Sequence, residues 1–171
     1  MIAGDMAAAG GGEERLEQLY DRFSARLFRF ALRVSRDDGE ARDYVHDAYL
    51  RAARDIGRVP QADSEAMAWL IRVVVNLARD RYRRTLVRDA FARLAMRRET
   101  HDPRPALDAG EAVRRAIASL SPRQRAVVVL RHLDGQPVAE IAATLDLSPA
   151  TVRWHLADAR KRLAVLLKGI S

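Results

Sequence analysis

Arginine side chains provide most of the binding chemistry in this sequence. Residues 79–98 hold eight Arg and two Asp, and residues 148–168 hold five basic residues and one Asp. Residues 13–50, in contrast, hold nine Asp or Glu and seven Arg. A guanidinium donates paired N–H groups to phosphate or to the edge of a guanine. Two separate basic segments therefore indicate two surfaces that contact nucleic acid.

The overall charge also has simpler explanations. A net charge of +7 and a pI of about 10.6 suit an arginine-rich soluble protein without an anionic ligand, or one that meets an anionic membrane surface. However, no apolar run approaches the roughly 18 residues that span a membrane. The N-terminal stretch MIAGDMAAAGGG lacks the basic and apolar parts of a signal peptide. We therefore expect a cytoplasmic protein with no membrane partner.

Catalytic and metal-binding patterns are missing from the sequence. There is no cysteine, and the four His residues are not spaced as zinc ligands. No Gly-rich phosphate loop and no nucleophile paired with a base can be recognised. We expect a protein that is not an enzyme and that holds neither a metal nor a cofactor.

The most specific pattern is PVAEIAATLDLSPATVRWHL, residues 137–156. Ala142 is small enough for two helices to cross there, while Leu145 and Val152 are spaced to pack the second helix on the first. Asp146 occupies the turn position that usually takes Gly, and Asp tolerates left-handed angles better than most residues. The pattern predicts a helix-turn-helix whose second helix enters the major groove. The alternative is an ordinary antiparallel helix pair with a Ser-Pro cap.

The residues that we expect to face DNA lie on the outer side of this second helix. Arg153 can bond guanine with two N–H groups, whereas Arg160 suits a phosphate. Trp154 either stacks on DNA or packs on a neighbouring helix. We call the set the recognition surface: Ser148, Thr151, Arg153, Trp154, Ala157 and Arg160.

Apolar residues recur every three or four positions, and alternating strand patterns are missing. The sequence therefore predicts an all-α protein with two small helical domains joined by a flexible linker. Gly57–Ser64 is a predicted loop, with Asp63 or Ser64 as the N-cap of the next helix. Ser121-Pro122 and Ser148-Pro149 are predicted N-cap and first-turn pairs. The expected limits are a disordered tail over 1–12, a first domain over 13–86, a linker over 87–110 and a second domain over 111–169.

Both halves resemble one family, the extracytoplasmic-function sigma factors of bacterial RNA polymerase. Residues 116–142 and 148–163 resemble region 4 of that family, a part that is also similar to the output domains of response regulators. The N-terminal half distinguishes the sigma factors from the response regulators. LYDRFSARLFRFALRV resembles the opening helix of region 2, and EARDYVHDAYLRA resembles its polymerase-docking helix. AWLIRVVVNLARDRYRR is similar to the helix that melts and holds the minus-ten element.

The resemblance implies an alternative sigma factor whose partners are the RNA polymerase core enzyme, promoter DNA and an anti-sigma factor. It implies that region 4 binds the minus-thirty-five element, and that the loop Gln61–Glu65 forms a pocket for a flipped base. The implied docking surface is Asp43, His46, Asp47 and Leu50. The implied minus-ten surface is Trp69, Asn76, Arg79, Asp80, Arg83 and Arg84.

Some residues depart from the family pattern. Arg42 and His46 replace an acidic residue and a glutamine on the docking helix, and Ala53 replaces a common tryptophan. In region 4, Trp154 and His155 replace a small and a basic residue, so promoter specificity cannot be transferred from relatives.

Several alternatives stay open at the level of the sequence. The polar side of the docking helix also suits a merely solvated face, and a metal site from Asp43, His46 and Asp47 lacks a ligand from a second helix. Trp69 suits the core as well as DNA. The rival functions are a stand-alone helix-turn-helix regulator and a polymerase-binding adaptor that never touches promoters.

Overall fold

The computed structural model describes residues 3–95 and 116–167. Every regular element in these two segments is a helix, which confirms the predicted all-α class. Residues 116–118 are helical, and a 3₁₀ turn spans Ile56–Arg58. The longer helices are α1 (Ala3–Val34), α2 (Asp38–Arg54), α3 (Asp63–Ala95), α4 (Pro122–His132), α5 (Val138–Leu145) and α6 (Pro149–Leu167).

Helices α1, α2 and α3 pack together around an aliphatic core. Their inward residues follow the helical repeat, so that Leu27, Ala48 and Leu70 from the three helices are fully buried. Asp37 begins α2 as its N-cap, because its carboxylate accepts a hydrogen bond from the Glu40 N–H at 2.8 Å. This bundle positions both the docking surface and the minus-ten surface.

Two helices are longer than the sequence predicted. Helix α1 begins at Ala3, so the expectation of a disordered tail over 1–12 does not hold from Ala3 onward. That stretch holds four alanines, which favour a helix, and four glycines, which do not. Helix α3 continues to Ala95, well into the predicted linker over 87–110, since no Pro or Gly interrupts it before Pro103.

The start of α3 also differs from the prediction. The Ala66 N–H donates to the Ala62 carbonyl at 2.8 Å, which places Ala62 at the N-cap and Asp63 in the first turn. Asp63 instead forms an ion pair with Arg22 of α1. The acidic side chain therefore interacts with the helix dipole and α1 rather than capping the helix.

Helices α4, α5 and α6 form the second half, and its predicted local signals are confirmed. Ser121 and Gln124 make a reciprocal capping box at the start of α4, with Pro122 in the first turn. Asp146 lies in the left-handed region, with φ 53° and ψ 55°. The Ser148 Oγ accepts from the Thr151 N–H at 3.0 Å and caps α6. The predicted start of the second domain, residues 111–115, lies outside the described residues.

The two halves share one continuous hydrophobic cluster. Helix α4 packs against α1 and α3, and α5 packs against α3. Within the described segments, no helix is long and apolar enough to cross a membrane.

Candidate nucleic-acid interface

The recognition surface lies on the exposed side of α6. Arg153, Ala157 and Arg160 are open to solvent, and Trp154 is 60% exposed. The Ser148 and Thr151 hydroxyl oxygens lie 2.8 Å apart at the start of the helix. Exposed arginines and hydroxyl groups near the start of a helix form a surface suited to the phosphates and base edges of duplex DNA.

The opposite side of α6 packs against α4 and α5. Val152 and Ala159 are fully buried, as the spacing predicts, whereas Leu156 is only half-buried. His155 is also buried, which was not predicted from the sequence. Burial is the main cause that lowers the pKa of His155. The nearby charge of Arg123 lowers this pKa further, and the charge of Asp158 opposes the shift. His155 is therefore held neutral within the helix-turn-helix.

The two possible positions of Trp154 can now be distinguished. Its indole is exposed, and it meets the imidazole of His155 edge-on, with the ring centroids 4.9 Å apart. The tryptophan therefore rests on its own helix and presents the rest of its ring outward. An outward aromatic face can contact a thymine methyl group or a sugar.

The minus-ten surface occupies a single face of α3. Its six residues lie between Trp69 and Arg84 and recur at helical spacing. Trp69 is half-buried and packs on the core, while Arg83 and Arg84 are exposed. Arg79 and Asp80 are half-buried, with the Arg79 Nε 3.8 Å from the Asp80 carboxylate. Further along α3, an open groove of about 590 Å³ is lined by Asp80, Arg83, Arg84, Val87 and Arg88.

The docking surface runs along α2. Asp43, His46, Asp47 and Leu50 recur at helical spacing and are exposed, Leu50 by 45%. Within it, Asp43 accepts a hydrogen bond from Arg81 of α3 at 3.4 Å. In the segments that the structure describes, no cluster of His, Cys, Asp or Glu is placed to bind a metal.

An apolar groove beside the docking surface was missed from the sequence. It has a volume of about 410 Å³, and Tyr20, Phe28, Val45 and Tyr49 are among the residues that line it between α1 and α2. The Tyr20 and Tyr49 rings pack 5.0 Å apart. Burial raises the pKa of Tyr49 to about 12. Tyr49 is buried, whereas Tyr20 is 55% exposed.

The loop predicted to bind a flipped base is fixed by α1. Arg15 donates to the carbonyls of Pro60 at 3.1 Å and Gln61 at 3.2 Å. The rest of the predicted loop, from Asp63, is the first turn of α3. A groove of about 630 Å³ between α3 and α5 is lined in part by Ser64 and Glu65. Exposed polar groups therefore lie at the position predicted for the pocket.

Both halves match known families in the order that the sequence indicates. Residues 19–85 match sigma-70 region 2, and residues 110–163 match sigma-70 region 4. The ECF RNA polymerase sigma factor SigM of Mycobacterium tuberculosis is 35% identical over 161 residues, covering 94% of this chain and 81% of SigM. The chain belongs to the ECF sigma factors.

Two solved structures extend the comparison to the fold of this ECF sigma factor. RpoE of Bartonella quintana, in complex with the anti-sigma factor NepR, has a TM-score of 0.64 at 24% identity, covering 89% of this chain and 96% of RpoE. CnrH, in complex with the cytosolic domain of CnrY, has a TM-score of 0.58 at 28% identity, covering 97% of this chain and 96% of CnrH. The likeness therefore includes both helical halves.

As an ECF sigma factor, the chain directs RNA polymerase to specific promoters and takes part in transcription initiation. A stand-alone helix-turn-helix regulator would explain region 4 alone, and the match to region 2 selects the sigma-factor interpretation.

Proposed function

We propose that this ECF sigma factor divides its function among three surfaces. The docking surface of α2 binds the core enzyme, and the minus-ten surface of α3 helps to open and hold the minus-ten element. The recognition surface of α6 binds the minus-thirty-five element as duplex. The proposed domain limits are 13–86 for the first half and 111–169 for the second.

The observation that supports this division is the placement of the three surfaces on three different helices. The recognition surface offers arginines beside a helix N-terminus, which suits duplex DNA. The docking surface combines carboxylates, an imidazole and an exposed leucine, which suits a protein partner. We further propose that the chain itself catalyses no reaction and acts in the cytoplasm, where polymerase and DNA are found.

A transcription experiment tests the proposal as a whole. Purified chain is mixed with core polymerase and a promoter library, and the run-off transcripts are sequenced. The proposal expects new start sites that share minus-ten and minus-thirty-five sequences. Absence of binding to core polymerase contradicts it, and binding without new start sites favours the adaptor instead.

A charge reversal tests the docking surface in particular. Asp47→Arg is expected to weaken binding to core polymerase, because it changes the centre of the surface. Asp38→Arg is the matched control, since Asp38 is also exposed but lies half a turn away around α2. Equal affinity of the two variants for core polymerase, measured by fluorescence anisotropy, would remove Asp47 from the docking surface.

We also propose that an anti-sigma factor regulates this chain. The solved complex of RpoE with the anti-sigma factor NepR supports this, and so does the complex of CnrH with the cytosolic domain of CnrY. A partner purified on the full-length chain should block run-off transcription, and excess chain should restore it. A partner that binds without changing transcription would be a different kind of regulator.

A further inference from the structure

A large aromatic side chain is exposed among the cationic residues of α6. Trp154 is 60% exposed, and Arg153 before it and Arg160 after it are open to solvent. A tryptophan within a binding surface typically contributes much of the binding energy, because a large apolar area leaves water when a partner covers it. The charge around the indole is positive, so the partner that matches this surface is DNA. The surface around the indole therefore favours base pairs over another protein.

Two alanines leave the indole accessible from the side. Ala150 precedes Trp154 by four residues and Ala157 follows it by three, so both are its neighbours on the helix surface. Both alanines are exposed, and neither side chain is long enough to cover the ring. Ala150, Trp154 and Ala157 thus form a shallow apolar patch on the side of α6 that bears Arg153. We call these three residues the indole patch.

A buried histidine supports the indole. His155 is 9% exposed, and its imidazole meets the Trp154 ring edge-on, with 4.9 Å between the ring centroids. The imidazole lies near Arg123, where α6 packs on α4, so it cannot move aside without opening that contact. A side chain that is held in place before binding loses less conformational entropy when DNA covers it. The indole is therefore presented outward in a restricted set of orientations.

The acidic residue nearest to the indole patch in the sequence is engaged elsewhere. Asp158 follows Trp154 by four residues along α6. Its carboxylate accepts hydrogen bonds from Gln124 of α4 and, at 3.2 Å, from Arg162. A free carboxylate at this position would favour the amino group of cytosine. Because the Asp158 carboxylate is already bonded, the indole patch is left to contact an apolar group.

The major groove offers one apolar group to such a patch, the C5-methyl group of thymine. Cytosine carries only a hydrogen atom at C5, so a single methyl group distinguishes the two pyrimidines. We propose that the indole patch selects a thymine of the minus-thirty-five element through this methyl group, beside the guanine that Arg153 bonds, and that His155 is the positioning residue for Trp154. The inference rests on the proposed function of the recognition surface and adds the base that this surface selects. Burial of one methyl group corresponds to about fourfold in affinity.

Replacement of thymine by deoxyuridine tests the contact, because deoxyuridine lacks only the methyl group. The preferred minus-thirty-five sequence is first selected from a promoter library with the full-length chain on core polymerase. Each thymine of that element, on either strand, is then replaced singly. One position should lose about fourfold in affinity, and Trp154→Ala should bind the two DNAs equally. If no thymine loses affinity when it is replaced, or if Trp154→Ala keeps the preference, the inference is wrong.

Two variants serve as matched controls for Trp154→Ala. Val165→Ala removes another exposed apolar side chain from α6, about three turns away, and should keep the thymine preference. Arg153→Ala should lose the guanine preference but keep the thymine preference, since it leaves the indole in place. Loss of the thymine preference in Arg153→Ala but not in Trp154→Ala would assign the methyl contact to the arginine and overturn the inference.

The role of His155 is tested by the same ratio of affinities for thymine and deoxyuridine. His155→Ala should lower this ratio while the guanine preference due to Arg153 remains, because the indole loses its support but α6 keeps its place. His155→Phe should restore the ratio, since a phenyl ring can also meet the indole edge-on. An unchanged ratio in His155→Ala would contradict the positioning role, and so would equal losses of the thymine and guanine preferences.

Cytosine methylated at C5 provides a gain of contact. At the position identified with deoxyuridine, the methylated cytosine should bind the parent chain about fourfold more tightly than cytosine does. Trp154→Ala should bind both alike, and a parent chain that ignores the methyl group would refute the inference. Transcripts without a shared minus-thirty-five element would refute the proposed function of the recognition surface itself. A shared element with no methyl-dependent position refutes only the role of the indole patch.

Discussion

The Arg125 Nη1 lies 2.6 Å from the carbonyl oxygen of Val34, a residue 91 positions earlier in the chain. This contact places a cation almost entirely out of water and gives it main-chain carbonyls as acceptors. Burial is the main cause that lowers the pKa of Arg125. The nearby charge of Arg36 lowers this pKa further, while the charge of Glu40 opposes the shift. Arginine suits the position because its planar donors reach several acceptors at once.

Removal of the Arg125 side chain should therefore destabilise the folded chain. Arg125→Met is expected to lower the free energy of unfolding by about 2–4 kcal/mol, because carbonyls of two helix ends lose their donor. Arg125→Lys should retain only part of the lost stability, since an ammonium group cannot reach the carbonyls of both helix ends. Urea unfolding followed by far-UV circular dichroism measures the effect. Arg131→Met is the control, because Arg131 is exposed and donates to the nearby Gln136 carbonyl. A loss equal to that of Arg125→Met would contradict the argument.

The left-handed residue in the helix-turn-helix gives a second prediction. Asp146 has φ 53°, and its N–H donates to the Ala142 carbonyl. Asp146→Val should cost about 1–2 kcal/mol, because a β-branched side chain is strained at these angles. Asp146→Gly should stay within about 0.5 kcal/mol of the parent, as relief of strain and greater unfolded-state freedom offset each other. Urea midpoints test this, with Ala139→Val as a helical control, and similar losses for both valine variants would disprove it.

Short-range features of the fold could be predicted from the sequence. The Ser121 and Ser148 caps and the Asp146 turn each depend on residues within a few positions, so their chemistry can be recognised directly. Burial of His155 was also accessible, because it lies three residues after Val152 and four before Ala159. The ends of α1 and α3 were misjudged because alanine-rich and arginine-rich stretches resemble both tails and helices.

The contact between the two halves could not be predicted in the same way. Arg72 and Arg125 donate to carbonyls of the other half, and nothing in the sequence distinguishes them from arginines that face DNA or solvent. Their acceptors are main-chain carbonyls, which carry no sequence signature. The contact between the two halves is therefore visible only in the folded chain.

The buried histidine predicts a pH dependence. Burial lowers the pKa of His155 below its usual value of about 6.5. The unfolded chain therefore takes up a proton at a pH where the folded chain does not. Stability should be complete above about pH 6.5 and should decline as the pH falls below it. His155→Gln should reduce the loss measured between about pH 7.5 and about pH 5.5 by urea unfolding, and an unchanged loss would mean that His155 does not cause it.

Two arginines of the recognition surface should differ in how they affect DNA binding. Arg153→Ala should weaken binding to the preferred minus-thirty-five sequence by about 1–3 kcal/mol and relax base preference, because it removes a contact to a base edge. Arg160→Ala should weaken binding to all sequences alike and reduce the salt slope of log K by about 1, because it removes a phosphate contact. Both residues are exposed on α6, so each serves as the other's control for the loss of one charge. Affinities for a set of minus-thirty-five variants, measured with the full chain on core polymerase at several salt concentrations, separate the two effects. An unchanged base preference in Arg153→Ala would remove Arg153 as a reader of sequence and leave the exposed Trp154 as the main candidate.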